Sequence, residues 1–259
     1  LSILIAIILG IVQGLTEFLP VSSSGHLVLL QRVFNINQHQ LLFNIILHIA
    51  TLIAVVFVFR KTVLTLIKNP FSKKAKMLVV ATIITLILAY VFEDFFKSDF
   101  DGGMLSFTFL ITATFLVVAE YVSKSYKNNK NLTYKSTSIM GLFQAAAIVP
   151  GISRSGATIT SAIVQGVNKK DAAEFSFLMS IPIILASLMW EVLNLKNTAT
   201  VSIQVLPTIL GFLFATVFGI LAIKVMLRVI NKAKYFYFSI YLVVLSLVIL
   251  LNEHIFFWF

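Results

Sequence analysis

Long apolar runs, broken by short basic or small-residue stretches, dominate the chain. Leu41–Phe59, Met77–Phe92, Leu206–Ile223 and Tyr235–Leu251 are almost free of charge, and each approaches the roughly 20 residues that cross a bilayer core as a helix. They lack the in/out alternation of barrel strands, which need only about 9–11 residues. The pattern predicts an all-α polytopic membrane protein. Two regions break it in the same way: an apolar segment runs into a Pro/Ser/Gly-rich stretch and a second apolar piece follows. The first is Pro20-Val-Ser-Ser-Ser-Gly25 and the second Pro150-Gly-Ile-Ser-Arg-Ser-Gly156.

The basic residues give the segments a direction. Sixteen of the twenty Lys and Arg fall in four places: Arg60–Lys76, Lys124–Lys135, Lys169–Lys170 and Lys224–Lys234. The intervening loops carry only Arg32, Lys97 and Lys196, and the Glu93–Asp101 loop is acidic. The positive-inside rule places the four clusters in the cytoplasm. Leu41–Phe59 then runs inward, so Arg32 lies outside, and the two Pro/Ser/Gly regions must enter the membrane and return to the side they came from. They are expected to be re-entrant helical hairpins over approximately residues 1–32 and 136–168. Irregular polar backbone is tolerated at that depth only where it lines a cavity.

The halves also match in sequence. The two Pro/Ser/Gly motifs stand 130–131 positions apart, and Phe43-Asn-Ile-Ile-Leu-His-Ile-Ala-Thr-Leu-Ile-Ala54 overlays Phe175-Ser-Phe-Leu-Met-Ser-Ile-Pro-Ile-Ile-Leu-Ala186. Each half has one hairpin and three spans, an odd number of crossings, so the second is inverted. The expectation is a single membrane domain over 1–259 with inverted-topology repeats at about 1–125 and 132–259. It has six transmembrane helices plus two re-entrant hairpins, both termini outside, and a midplane site between the interrupted segments.

Composition removes other classes. The chain is 59% hydrophobic and 12% charged, with mean hydropathy +1.00, whereas soluble domains carry about 25% charged residues. The net charge of +10 does not predict a nucleic-acid partner, because the basic residues sit between apolar segments. Cysteine is absent, which excludes disulfides, thiolate metal sites and a cysteine nucleophile. The first segment runs into Gln13, Glu17 and Pro20 and so reads as mature protein, not as a signal peptide.

Ionisable groups inside membrane segments cost about 2.5–3.5 kcal/mol on insertion scales and are functional candidates by default. Gln13 and Glu17 are one helical turn apart; Pro20 breaks that helix; Ser22 to Gly25 form a turn, and His26 opens the return. In the second motif Arg154 is bracketed by Ser153, Ser155 and Gly156, with Thr158 beyond. A guanidinium offers a bidentate fork to phosphate oxygens. Gly156 lets backbone come close to a ligand, and a helix start aims free N–H groups at an anion. Tip to tip, the two stretches bring together a carboxylate, an imidazole, hydroxyls and an arginine, the groups needed to cleave a phosphoanhydride. His48, alone in an apolar helix, is expected to be structural; Glu120, near a helix end, to be solvated; tyrosines, in part, to be interfacial anchors.

Gln-Gly-Leu-Thr-Glu-Phe-Leu-Pro-Val-Ser-Ser-Ser-Gly-His-Leu and Pro-Gly-Ile-Ser-Arg-Ser-Gly-Ala-Thr-Ile resemble the two signature motifs of undecaprenyl-diphosphatases of the bacitracin-resistance type. Ala172–Pro182 resembles a third stretch of that family. The likeness covers almost the whole chain. It implies cleavage of undecaprenyl diphosphate to the monophosphate at the outer face of the bacterial plasma membrane, with a divalent metal (Mg²⁺ or Ca²⁺), and it allows a homodimer. Glu17 matches the second acidic position of the first motif, His26 its histidine and Ser23 its serine, and Arg154 the arginine of the second. Gln13 stands where many members have glutamate. On this reading Arg154, Ser153, Ser155 and Thr158 grip the diphosphate, and Glu17 with Gln13 holds the metal. Ser23, His26 or water remains open as the nucleophile. The rival is a secondary transporter or lipid flippase, which shares the inverted-repeat plan but needs no base.

Overall fold

The structure is a computed structural model that describes residues 1–36, 41–92, 104–125, 129–194, 204–230 and 234–256. The acidic 93–101 stretch, Lys127, Lys196 and Lys232 lie outside the described residues. The helices are α1 Ile3–Phe18, α2 Ser23–Val33, α3 Leu41–Val58, α4 Arg60–Lys68, α5 Lys73–Val91 and α6 Leu105–Ser125. They continue with α7 Tyr134–Ala146, α8 Arg154–Val164, α9 Lys169–Asn194, α10 Val205–Val229 and α11 Tyr235–Leu251, closed by a π-type turn at Asn252–Phe256.

Among the described residues, α5, α6, α9, α10 and α11 are each long and apolar enough to cross a bilayer; α3 with α4 makes a sixth if that bent pair is one span. The expected six crossings therefore appear as five to six. The two partners in the bent pair meet at 82°, where the apolar α3 gives way to Arg60 and Lys61. α4 then carries Lys61, Thr65 and Lys68 on one face and Val63, Leu64 and Ile67 on the other.

Each interrupted region is a pair of short helices. Pro20 removes a backbone donor after α1, and Ser22 caps α2 by accepting from the Gly25 N–H at 3.3 Å. α7 ends before Pro150, and Ser153 caps α8 by accepting from the Gly156 N–H at 3.1 Å. Ser22 and Ser24 hydroxyls lie 3.3 Å apart, and those of Ser153 and Ser155 likewise 3.3 Å apart. The two helix starts are therefore built by the same local device.

The start of α1 and the end of α2 reach the start of α10 and the end of α11. The Leu1 amino group donates to Gln204 before α10 at 2.9 Å, and Arg32 near the end of α2 pairs with Glu253 at 3.5 Å. At the opposite end, Lys130 and the Gly166–Asn168 turn exchange backbone hydrogen bonds at 3.0 and 3.2 Å. There Lys169 also sits over the Tyr235 ring at 5.6 Å, so these basic clusters share one end. Glu120 is not solvated as expected: it is buried, caps α11 by accepting from the Tyr235 N–H at 2.8 Å, and pairs with Lys124 at 2.8 Å.

Small residues let the helices that frame the site come close, the usual means of packing inside lipid. A Cβ added to Gly10 on α1 would lie 3.0 Å from the Gly211 carbonyl carbon on α10; one on Gly141 of α7 would lie 3.1 Å from the Ala81 Cα on α5. α1 thus packs on α10, and α7 on α5. The α6–α11 and α3–α9 pairs complete the bundle.

Candidate active site

The last turn of α1 and the first turn of α8 meet directly. Glu17 is buried, and Arg154 donates to its Oε1 through Nη2 in a very short ion pair. The other carboxylate oxygen, Oε2, accepts from the Ser23 hydroxyl at 2.5 Å and from the Gln13 amide at 3.0 Å. A carboxylate, a guanidinium, a hydroxyl and an amide are therefore in one hydrogen-bonded cluster. The Ser155 hydroxyl reaches across to the Leu19 carbonyl at 3.2 Å, tying the two tips together.

Two polar atoms in this cluster, Gln13 Oε1 and Arg154 Nη1, are buried without a partner. A buried acceptor and a buried charged donor left unpaired are expensive, so both are suited to meet a polar ligand. Arg154 can hold Glu17 through one nitrogen and offer the other to an anion.

The tips stay in place through close backbone contact. A Cβ on Gly25 would lie 2.8 Å from the Gly151 Cα and 2.7 Å from the Phe109 ring. Gly151 adopts φ +92°, open to glycine at little cost. Thr112 on α6 anchors the turn twice: its hydroxyl donates to the Gly151 carbonyl at 2.8 Å and accepts from the Ser153 N–H at 2.9 Å. Ser22, a non-glycine residue at φ +69°, holds backbone strain of the kind that gathers at functional sites.

Of the residues singled out in the sequence, Gln13, Glu17, Ser23 and Arg154 are brought together. Ser153 is spent on the helix cap and Gly156 supplies the capped N–H. Thr158 is not brought to the cluster; its hydroxyl is 2.8 Å from the Arg154 carbonyl and 2.7 Å from Ser176. His26 is buried beside it but turned away: Nδ1 lies 2.7 Å from the Ser22 carbonyl and Nε2 2.7 Å from the Tyr241 hydroxyl. Tyr241, Thr112 and Phe109 were not anticipated, since nothing marks them among the apolar residues of their helices. His48 donates from Nδ1 to the Asn44 carbonyl at 2.8 Å, as a structural histidine would.

No three His, Cys, Asp or Glu side chains gather as a cation site among the described residues. The donors do fit a hard cation that leans on its substrate, because Mg²⁺ binds through one or two carboxylates plus phosphate oxygens and water. Glu17 would supply that carboxylate, and Gln13 Oε1, buried without a hydrogen-bond partner, an oxygen ligand.

Known proteins resemble the chain along almost its whole length. The profile of the bacitracin resistance protein BacA family matches residues 6–248. An undecaprenyl-diphosphatase of Carboxydothermus hydrogenoformans is 41% identical over 254 residues, covering 96% of each chain. Undecaprenyl-diphosphatase 4 of Bacillus cereus is 40% identical over 246 residues, covering 95% of each. An undecaprenyl-diphosphatase of Halothermothrix orenii is 38% identical over 256 residues, covering 96% of this chain and 98% of its own.

Proposed function

The chain belongs to the bacitracin resistance protein BacA family, and on that premise we propose that it hydrolyses undecaprenyl diphosphate to undecaprenyl phosphate and phosphate, recycling the carrier lipid for cell-wall synthesis. The observation that carries this reading is the Ser23–Glu17–Arg154 cluster, in which a hydroxyl already donates to a carboxylate that an arginine holds in place. Carrying a lipid across the membrane would need the arginine but not that base.

In the proposed reaction Arg154 keeps Nη2 on Glu17 and gives Nη1 to the terminal phosphate. Ser23 Oγ attacks that phosphorus while its proton passes to Glu17 Oε2. The bond from phosphorus to the bridging oxygen breaks, and undecaprenyl phosphate leaves as an anion. Water then cleaves the phosphoserine, the Glu17 proton returns to Ser23 Oγ, and inorganic phosphate departs. Catalysis of this kind is mainly positioning and charge neutralisation. The divalent cation belongs to the proposal too. Glu17 and Arg154 cancel each other, so a polyanionic diphosphate meets a locally neutral pair. Held by Glu17 and Gln13, Mg²⁺ or Ca²⁺ would supply the missing positive charge.

The reading extends to architecture. Residues 1–32 and 136–168 form re-entrant hairpins in inverted repeats, in the bacterial inner membrane, with the site open to the outer face. Supporting this, α1 packs on α10 as α7 packs on α5, and the Gly10 and Gly141 contacts and the two serine caps recur at equivalent positions. Gln13 and Gln144 are likewise equivalent, and each has a buried, unpaired Oε1. The natural absence of cysteine allows a direct test. In intact cells Gln204→Cys should react with an impermeant maleimide and Ser72→Cys only after permeabilisation; the reverse would invert the topology.

Activity is tested by phosphate release from a prenyl diphosphate in detergent, with a rapid quench for acid-stable phosphoprotein. Metal-dependent release and a phosphoprotein absent from Ser23→Ala are expected. A well-folded protein that releases nothing across Mg²⁺ and Ca²⁺ would return the chain to the transporter reading.

A further inference from the structure

We propose that Tyr241 is a positioning residue for the dephosphorylation, acting through His26. The inference rests on the diphosphatase reading above. His26 Nδ1 is 2.7 Å from the Ser22 carbonyl oxygen. A carbonyl only accepts, so Nδ1 carries the proton. In the neutral ring Nε2 is then a bare lone pair, and the group that meets it is the Tyr241 hydroxyl at 2.7 Å.

The orientation of the ring is settled by the same residue. Tyr241 stacks on the imidazole with centroids 5.7 Å apart and planes 12° apart, while Phe109 closes on it edge-to-face at 5.3 Å. The side chain is 46% exposed on α11, a helix whose neighbouring exposed side chains are apolar. A phenol on such a surface ordinarily turns its hydroxyl toward water at the membrane boundary. This one turns it into the protein, onto a histidine 215 positions earlier in the chain.

The consequence for the reaction lies in its second half. The first step has its own proton acceptor in Glu17, bonded to Ser23. Hydrolysis of the phosphoserine needs a group to orient water and accept its proton, and His26, three positions after Ser23 on α2, offers its Nε2 lone pair once water takes the place of the Tyr241 hydroxyl. Tyr241 keeps that nitrogen unprotonated and holds the plane of the ring, and its hydroxyl gives up its place to water when the step occurs. The first-half residues come from α1, α2 and α8; with Tyr241, α11 also enters the site.

The test is a double-mutant cycle on kcat for phosphate release, using the full chain in detergent with a C15 prenyl diphosphate. Tyr241→Phe keeps the stacked ring and removes the donor. We expect kcat to fall about tenfold, roughly one hydrogen bond's worth, with KM within twofold. In a His26→Gln background the same change should cost less than twofold. Tyr237→Phe, on the same helix and exposed, should match wild type. The imidazole ¹⁵N spectrum gives a second reading that activity does not touch: wild type should show protonated Nδ1 and unprotonated Nε2, and Tyr241→Phe should shift Nε2. An unchanged kcat in Tyr241→Phe, an equal loss in both backgrounds, or protonated Nε2 in neutral wild-type His26 overturns the proposal. If wild type itself releases no phosphate, the diphosphatase reading fails with it; if wild type is active and Tyr241→Phe equals it, only this inference does. Should Tyr241→Phe not fold, the wild-type ¹⁵N spectrum decides alone.

Discussion

Arg154 and Glu17, 137 positions apart, form an ion pair with side-chain exposures of only 14% and 6%. Such a pair is a poor source of net stability, because desolvating both charges offsets most of their attraction, but losing one partner strands the other. Arg154→Ala is therefore expected to lower stability by about 3–5 kcal/mol and to abolish phosphate release. The double variant Glu17→Gln, Arg154→Gln should recover much of the thermal midpoint and none of the activity. Recovery of activity in the double variant would mean that the pair is only a fold element.

Gln13 offers a direct handle on the metal. Its Oε1 is buried and unpaired beside Glu17, and a second carboxylate there strengthens attraction for a divalent cation. Activity should vanish on EDTA treatment and return with Mg²⁺ or Ca²⁺. Gln13→Glu should reach half-maximal activity at about tenfold lower metal, the equivalent of about 1.4 kcal/mol. A metal titration that does not move, or activity indifferent to EDTA, counts against Glu17 and Gln13 as ligands.

Thr112 touches nothing that reacts, yet one hydroxyl serves both sides of the turn that presents Arg154. Thr112→Val keeps the shape and leaves the Gly151 carbonyl and the Ser153 N–H without their partner. Unmade buried hydrogen bonds cost about 1–3 kcal/mol each. Lower thermal stability and a fall in kcat of at least tenfold are expected; an enzyme with wild-type kcat would show that Arg154 does not depend on this anchor.

How much of this was legible beforehand follows from the physics of each signal. The spans could be read because a bilayer imposes length and apolarity on every crossing, and the meeting of Glu17 with Arg154 because charge at that depth demands a partner. α4 falls where the sequence reads as a basic loop after Leu41–Phe59, since positive charge marks the end of the span but not the short helix that follows it. Thr158 looked like a ligand by its place in the motif, but its hydroxyl had a nearer acceptor one helical turn back, a competition that spacing cannot reveal. Tyr241 was invisible: its role depends on which way a phenol turns on an apolar helix, and only tertiary structure decides that.

The glycine contacts give a prediction about assembly. Gly10→Val and Gly141→Val each place a branched side chain where a Cβ alone would already press on a neighbouring backbone, and neither backbone can yield cheaply. Both should reduce the yield of monodisperse protein, and to a similar degree. Normal yield from one and collapse of the other would argue against equivalent roles for α1 and α7.

The two serine caps carry a last consequence. Ser22 with Gly25 and Ser153 with Gly156 share one capping hydrogen bond, and the position after the capping serine holds Ser23 in one and Arg154 in the other. One capping device thus presents a hydroxyl from one tip and a guanidinium from the other, so the two tips are chemically complementary. On the proposed reading, two copies of the first tip would offer hydroxyls without counter-charge, and two copies of the second the reverse. Neither tip can therefore stand in for the other.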